Sequence, residues 1–191
     1  MDFSEVERFA RHFDGPERDA WQRPRDVIAA MRIAPGQTVA DIGAGTGYFL
    51  PYLSEAVGKD GKVLALDVEP NMVRYMERRI AENGWSNVRA RAVAPDDPGL
   101  APASVDRVLI VNTWHHIDQR SRYAEKLARA LKPGGALYIV DFTPESDLGP
   151  PPAHRISAAD VVKELAPANL RAELVSAASL RKQYIVRAEL R

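Results

Sequence analysis

Short runs almost unbroken in Val, Ile, Leu and Ala alternate along this chain with segments of helical spacing, and that alternation constrains the fold more than any other feature. Residues 38–42, 62–67, 88–93, 105–111 and 136–140 read as strands. Between them, residues 48–53, 72–80 and 121–131 carry apolar side chains at helical intervals and stop at breakers such as Asn83-Gly84 and Lys132-Pro133-Gly134-Gly135. Strands buried on both faces lose the in-and-out alternation of a half-exposed sheet. The pattern therefore predicts an α/β fold with a mostly parallel sheet covered on both sides, doubly wound because crossovers are right-handed.

The two ends depart from this rhythm. Val6, Phe9, Ala10 and Phe13 share one helical spacing and Val27, Ile28 and Met31 another, split by Gly15-Pro16 and Pro24, which predicts two or three short cap helices. After Pro150-Pro151-Pro152 comes a helix through 159–165, then two strands, 170–175 and 183–190. Their link is too short for a crossover, so the pair is expected to be antiparallel. A length of 191 residues suits one domain: a helical cap (1–35), a core (36–142) and a C-terminal helix and hairpin (143–191).

Basic and acidic residues balance at 26 each, so no global field draws a polyanion; a small-molecule partner is expected, with no nucleic acid. The absence of cysteine excludes disulfides, thiolate metal sites and a thiol nucleophile. The first residues carry charges where a secretion signal would be apolar, and no run approaches a membrane span. A cytoplasmic protein without membrane association is the expectation.

Chemistry concentrates after the first strand, at Asp41-Ile42-Gly43-Ala44-Gly45-Thr46-Gly47. In open α/β sheets ligands sit outside the carboxyl ends of the strands where strand order reverses, and glycines there let the backbone turn sharply and approach a ligand. The spacing is Gly-x-Gly-x-Gly, unlike the Gly-x-Gly-x-x-Gly of dinucleotide enzymes, and Asp41 precedes it. A carboxylate there repels a pyrophosphate but attracts a cation. A tight turn with no ligand is the bland alternative.

Asp67 ends the second strand, where a carboxylate can accept bonds from ribose hydroxyls, or else cap the next helix. Val68 and Met72 could pack on adenine or simply in the core, and Asp96 and Asp97 could meet the adenine amine or simply form a turn. His115 and His116 follow the fourth strand, where a histidine can take a proton near neutrality or merely bond backbone; His12 and His154 lie in segments able to close over the site. Trp21, Tyr48, Phe49 and Trp114 could line an apolar pocket or the core. His115-His116-x-Asp118 lacks further ligands at regular spacing, so no metal is expected.

The segments 39–49, 64–67, Asn112-Thr113-Trp114-His115-His116 and Leu131-Lys132-Pro133-Gly134-Gly135 resemble, in order and spacing, the successive motifs of class I S-adenosylmethionine-dependent methyltransferases. The resemblance is strongest to small bacterial proteins of the ubiquinone/menaquinone C-methyltransferase-like group (methyltransferase type 11), to which Trp21-Gln22-Arg23-Pro24 and His154-Arg155-Ile156-Ser157 are also similar. It implies a Rossmann-like seven-stranded sheet with an antiparallel C-terminal strand, and S-adenosylmethionine as cofactor. It also implies that Gly43 and Gly45 pass under the methionine part, that Asp67 binds the ribose and that backbone near Asn112 meets the amino group, with Asp41 and Ala44 of the same turn among the expected cofactor-binding residues. Relatives often carry Gly-Asp where this chain has Val93-Ala94, which moves the implied adenine contact to Asp96. Methyl transfer to a small acceptor by in-line displacement, with His115, His116 and His154 as candidate catalytic residues, is the expected function. A cofactor-binding regulator without turnover and a nicotinamide-dependent oxidoreductase are the alternatives.

Overall fold

The computed structural model describes residues 6, 8, 10, 14, 15, 17–175 and 179–191; Phe9, His12 and Phe13 lie outside the described residues. One seven-stranded sheet runs through it: β1 (Thr38–Ile42), β2 (Lys62–Asp67), β3 (Val88–Ala92), β4 (Val105–Val111), β5 (Leu131–Phe142), β6 (Leu170–Val175) and β7 (Gln183–Leu190), in the order β3-β2-β1-β4-β5-β7-β6. The first five strands are mutually parallel, and β7 is antiparallel to both neighbours, as the short link between the last two strands demands.

Six α-helices with bounds among the described residues flank this sheet: α1 (Glu17–Gln22), α2 (Pro24–Met31), α3 (Leu50–Val57), α4 (Pro70–Asn83), α5 (Arg120–Ala130) and α6 (Ala158–Leu165). Val6, Arg8 and Ala10 are helical as well. The helix ends follow capping chemistry. Pro70 opens α4 where its missing N–H costs nothing, Glu69 accepts from the Asn71 N–H at 3.1 Å, and Gly84 closes the helix at φ 65°.

Strand side chains alternate between two cores. Ala40, Ile42, Val108 and Ile110 pack with α5 and α6 residues such as Leu127 and Leu165, whereas Val39, Leu109 and Val111 pack with Val27, Leu53 and Met76 on the other face. That two-sided burial is why the strands read as continuous apolar runs.

Among the boundaries that differ from the sequence reading, two have a distinct physical cause. Helix α3 starts only at Leu50, because Gly47 N–H bonds back to Ala44 O (2.8 Å) and Leu50 N–H to Gly47 O (3.1 Å), making turns out of residues 44–49. Strand β5 starts at Leu131 rather than Ala136. Leu131 pairs with Val105 and Ala136 with Arg107, so Lys132-Pro133-Gly134-Gly135 loops out of a ladder that continues on both sides.

Strand β1 is central, with β2 on one side and β4 on the other, so strand order reverses beside it. The register aligns Ile42 with Leu66 and Ile110, and Val111 with Val140. Asp41, Asp67, Asn112 and Asp141 therefore come out along one edge of the sheet. No helix among the described residues is long and apolar enough to cross a membrane.

Candidate functional site

The glycine turn is fastened to the end of β2: the N–H groups of Gly43 and Ala44 both donate to Leu66 O, at 2.8 and 3.1 Å. Its three glycines are not equivalent. A Cβ on Gly43 would sit 2.4 Å from Thr113 Cγ2 and one on Gly47 2.6 Å from Leu50 Cδ1, so these two are glycines for packing. Gly45, at φ +57°, has among the described residues only the Gly43 carbonyl within reach of a Cβ, at 4.0 Å. The backbone of Gly45 thus faces open space, a cradle that any side chain would fill.

Two buried carboxylates border that space. Asp67 accepts from Gly45 N–H at 2.8 Å with one oxygen and from Glu69 N–H at 2.9 Å with the other, so it braces the turn and the entrance to α4 together. The helix cap is Glu69, two residues further on. A carboxylate offers about four lone-pair sites, which leaves Asp67 capacity beyond its backbone donors. Burial outweighs those donors and holds Asp67 above the usual carboxylate pKa.

Asp41 is 3% exposed, and burial together with the negative Asp67 pushes its carboxyl up to about 7, against the lowering influence of Arg18. A buried acid in this condition is suited to a cation. Next to Asp67, Val68 is 54% exposed, a branched apolar side chain bared beside the turn. Met72 is buried on α4 but belongs to neither core cluster. Open backbone, cation-seeking acid, hydroxyl-accepting acid and bare apolar side chain together fit a cationic nucleoside.

Asp96 is placed differently from its partners in the sequence reading. Its side chain is 85% exposed, and Lys126 holds the loop through Asp96 O at 2.6 Å, the Asp96 carboxylate at 3.7 Å and Asp97 at 3.2 Å. Asn112, at φ +52°, spends its side chain on a ring of amides. Gln22 donates to Gln183 at 2.7 Å, Gln183 to Asn112, and Asn112 to Gln22 at 3.2 Å. This ring ties the cap helix α1 to the ends of β4 and β7.

Asp14 continues the tie, accepting from Thr46 Oγ1 at 2.8 Å and lying 3.2 Å from Arg79, and Tyr48 donates its hydroxyl to Asp19. The cap is thereby laced to the glycine turn itself.

Around the other side of the turn, the 3-10 turn Trp114–His116 follows β4. His115 Nδ1 lies 2.9 Å from both oxygens of Asp141, the two side chains being 4% and 3% exposed. An ionised carboxylate only accepts, so this geometry directs an Nδ1–H at Asp141, and in the neutral ring Nε2 is then the acceptor. The His116 ring lies 4.1 Å from that of His115, centre to centre. Burial and its neighbours His115 and His154 keep His116 below the ordinary imidazole pKa. His154, in the 3-10 turn Pro152–His154, is exposed.

Trp21 of α1 stacks near Phe142 at 5.6 Å, next to Asp141. Trp114, by contrast, is fully buried in the core and donates to Glu164 at 2.8 Å, and Phe49 is 3% exposed, so packing claims both. No group of three or more His, Cys, Asp or Glu residues among the described ones is arranged to hold a metal. Sequence reasoning missed Arg18, Asp141, Gln22 and Gln183; only Asp141 left a signal, as an acid near the end of an apolar strand like Asp41 and Asp67.

Comparison with known proteins bears on this geometry. Residues 39–135 match the family model described as a methyltransferase domain. The chain is 32% identical over 115 residues to an arsenite methyltransferase of Halobacterium salinarum, covering 60% of this chain and 29% of that protein. It is 30% identical over 132 residues to a ubiquinone/menaquinone biosynthesis C-methyltransferase of a Marinomonas species, covering 65% and 50%. The chain thus spans half or less of the length of these curated relatives. A crystal structure of an S-adenosylmethionine-dependent methyltransferase from Aquifex aeolicus superposes with a TM-score of 0.88 at 32% identity, covering 98% of both chains. With that full-length likeness and with the family model lying over the glycine turn and the strands around it, the chain belongs to the class I S-adenosylmethionine-dependent methyltransferases.

Proposed function

We propose that this chain transfers a methyl group from S-adenosylmethionine, held over the glycine turn, to a small organic acceptor by in-line displacement. The observation that carries the reading is the open space at Gly45 between two buried acids, Asp41 and Asp67. Bound there, S-adenosylmethionine supplies an electrophilic methyl carbon on a sulfonium.

The chain's own residues bind, orient and dry that centre. Gly45 presents bare backbone to the methionine part with Gly43 and Ala44 beside it, and backbone at Asn112 faces its amino group. Asp41 holds the ammonium, Asp67 accepts from the ribose hydroxyls, and Val68 and Met72 flank the adenine, with Asp96 at its outer edge. Alignment and exclusion of water account for most of what such an enzyme contributes to a displacement. Acceptors that carry a proton also need a base. His115 fills that role through Nε2, oriented by Asp141, with His116 and His154 beside it and Trp21 and Phe142 as apolar wall.

Asp41 gives the reading a pH signature. It must be ionised to hold an ammonium, and its folded-state pKa of about 7 lies above the unfolded value of 3.8. The folded chain therefore binds that proton more tightly than the unfolded one, and stability is lost as pH rises between those values. Cofactor binding below about pH 7 must displace the proton. Affinity is expected to fall by up to about tenfold per pH unit below that point and to level off above it. Calorimetric titrations between pH 5.5 and 8.5 check this, and Asp41→Asn should flatten the profile.

The function itself is tested by incubating the full chain with S-adenosylmethionine labelled in its methyl group and a mixture of phenols, amines and enolisable ketones. Label in an acceptor is the expected result. Cofactor binding with no labelled product under any condition would mark the chain as a binding module.

A further inference from the structure

The two edges of the sheet differ in how they would meet a second copy of this chain. β3 carries Arg89 and Arg91 on one face, so an antiparallel pairing of that edge with itself about Ala90 sets arginine against arginine. Both also donate to carbonyls of their own chain, Arg89 to Ser86 O at 3.0 Å and Arg91 to Gly99 O at 2.6 Å. β6 has no such guard. Its sequence is Leu170-Arg171-Ala172-Glu173-Leu174-Val175, and among the described residues no strand pairs with its outer side. Leu174 is 61% exposed, and Leu190 on the same face of the hairpin 37%. Arg171 and Glu173 lie on the other face with side chains 74% and 67% exposed, paired within the hairpin to Glu189 and Arg187.

The ladder decides which backbone groups β6 turns outward. Arg191 N–H donates to Asn169 O at 3.1 Å, just outside the Leu170–Leu190 pair, so that pair is of the non-hydrogen-bonded kind. Alternation then gives the N–H and C=O of Arg171, Glu173 and Val175 to β7 and turns those of Leu170, Ala172 and Leu174 away from it. Leu170 O receives a long bond from Arg191 Nε, 3.4 Å, and keeps a second lone pair. We propose that β6 pairs antiparallel with β6 of a second copy about a two-fold axis at Ala172, joining the two sheets edge to edge. In that register Ala172 exchanges both bonds with its counterpart and Leu170 does so with the second copy's Leu174, so every outward group of the strand is paired. Arg171 stands opposite the second copy's Glu173, and Glu173 opposite its Arg171, while the bared Leu174 comes beside the other Leu170. Moving the axis by one residue sets Glu173 against Glu173 or Arg171 against Arg171. The edge is thus complementary to itself in one register, as an isologous contact requires.

The test is sedimentation equilibrium of the full chain over about a hundredfold range of concentration, and its result does not depend on what occupies the glycine turn. A reversible equilibrium between monomer and dimer is expected. Arg171→Glu and Glu173→Arg each set like charges against one another at two places, and each is expected to weaken self-association by at least about tenfold. Mixing the two variants in equal amounts places acid against base at both places again, so a heterodimer of about wild-type affinity is expected from chains that pair poorly alone. Recovery on mixing requires both variants to be folded, which separates lost pairing from lost structure. A wild-type chain that stays monomeric over the whole range overturns the proposal. So does a dimer that both substitutions leave intact, and so does a mixture of the two variants that fails to associate.

Discussion

Gly45→Val is expected to abolish saturable cofactor binding while leaving the chain folded. The backbone at Gly45 has φ +57°, which a branched residue adopts at a cost of about 1–2 kcal/mol, so some stability is lost. For a chain of this length that corresponds to a fall in Tm of roughly 2–8 °C. Among the described residues, the Gly43 carbonyl 4.0 Å away is the only atom a Cβ would meet. The obstruction is to the ligand. Two methyl groups would stand where the backbone is otherwise bare, and affinity should fall by at least about a hundredfold, the equivalent of 2.8 kcal/mol. Gly43→Ala is the contrasting change. Its Cβ would lie 2.4 Å from Thr113 Cγ2 and 2.5 Å from Thr113 Oγ1, so its damage falls on folding. Thermal melts paired with cofactor titrations distinguish the two glycines.

The second large effect is expected at His115. If Nε2 takes a proton from the acceptor, His115→Ala lowers kcat by about 10²–10⁴ with little change in cofactor affinity. Asp141→Asn is the sharper variant, because it preserves the shape of the partnership while removing the charge that fixes the Nδ1 proton at 2.9 Å. An amide can offer its N–H to Nδ1 instead, which turns the ring's remaining N–H outward and leaves Nε2 without a lone pair. A loss of kcat with unchanged cofactor affinity is the expected outcome, steepest for acceptors whose nucleophile carries a proton. Equal kcat in wild type and Asp141→Asn on such acceptors would reduce the pair to a buried brace between β4 and β5.

Much of this was legible in the residues, and the reason is local. Apolar runs separated by helical spacing specify a parallel sheet because the inner strands are covered on both faces, β3 at the edge being largely exposed, and the short link before β7 requires the antiparallel turn. The glycine turn was legible because its spacing and Asp41 sit within seven consecutive residues. What escaped depends on distant parts of the chain. The Gln22–Gln183 bond spans 161 positions, and Asp141 meets His115 across 26. Neither leaves a periodicity, because the sheet register, not the chain, makes those residues neighbours. Arg18 escaped for a related reason: an arginine in a short polar helix reads as solvated, and only the fold of the cap over Tyr48 turns it inward. Trp114 and Phe49 went the other way, because aromatic residues beside a motif read equally as pocket or core, and here the core took them.

The central claim is that the turn from Asp41 to Gly47 holds S-adenosylmethionine, and the wild-type arm of the cofactor titration addresses it most directly. Wild-type chain at pH 8 is titrated separately with S-adenosylhomocysteine and with NADH, and the first complex is then challenged with S-adenosylmethionine. Saturable one-to-one binding of S-adenosylhomocysteine, displaced by S-adenosylmethionine and matched by no comparable affinity for NADH, is the predicted result. Tight binding of NADH with none of either sulfur nucleoside would contradict it.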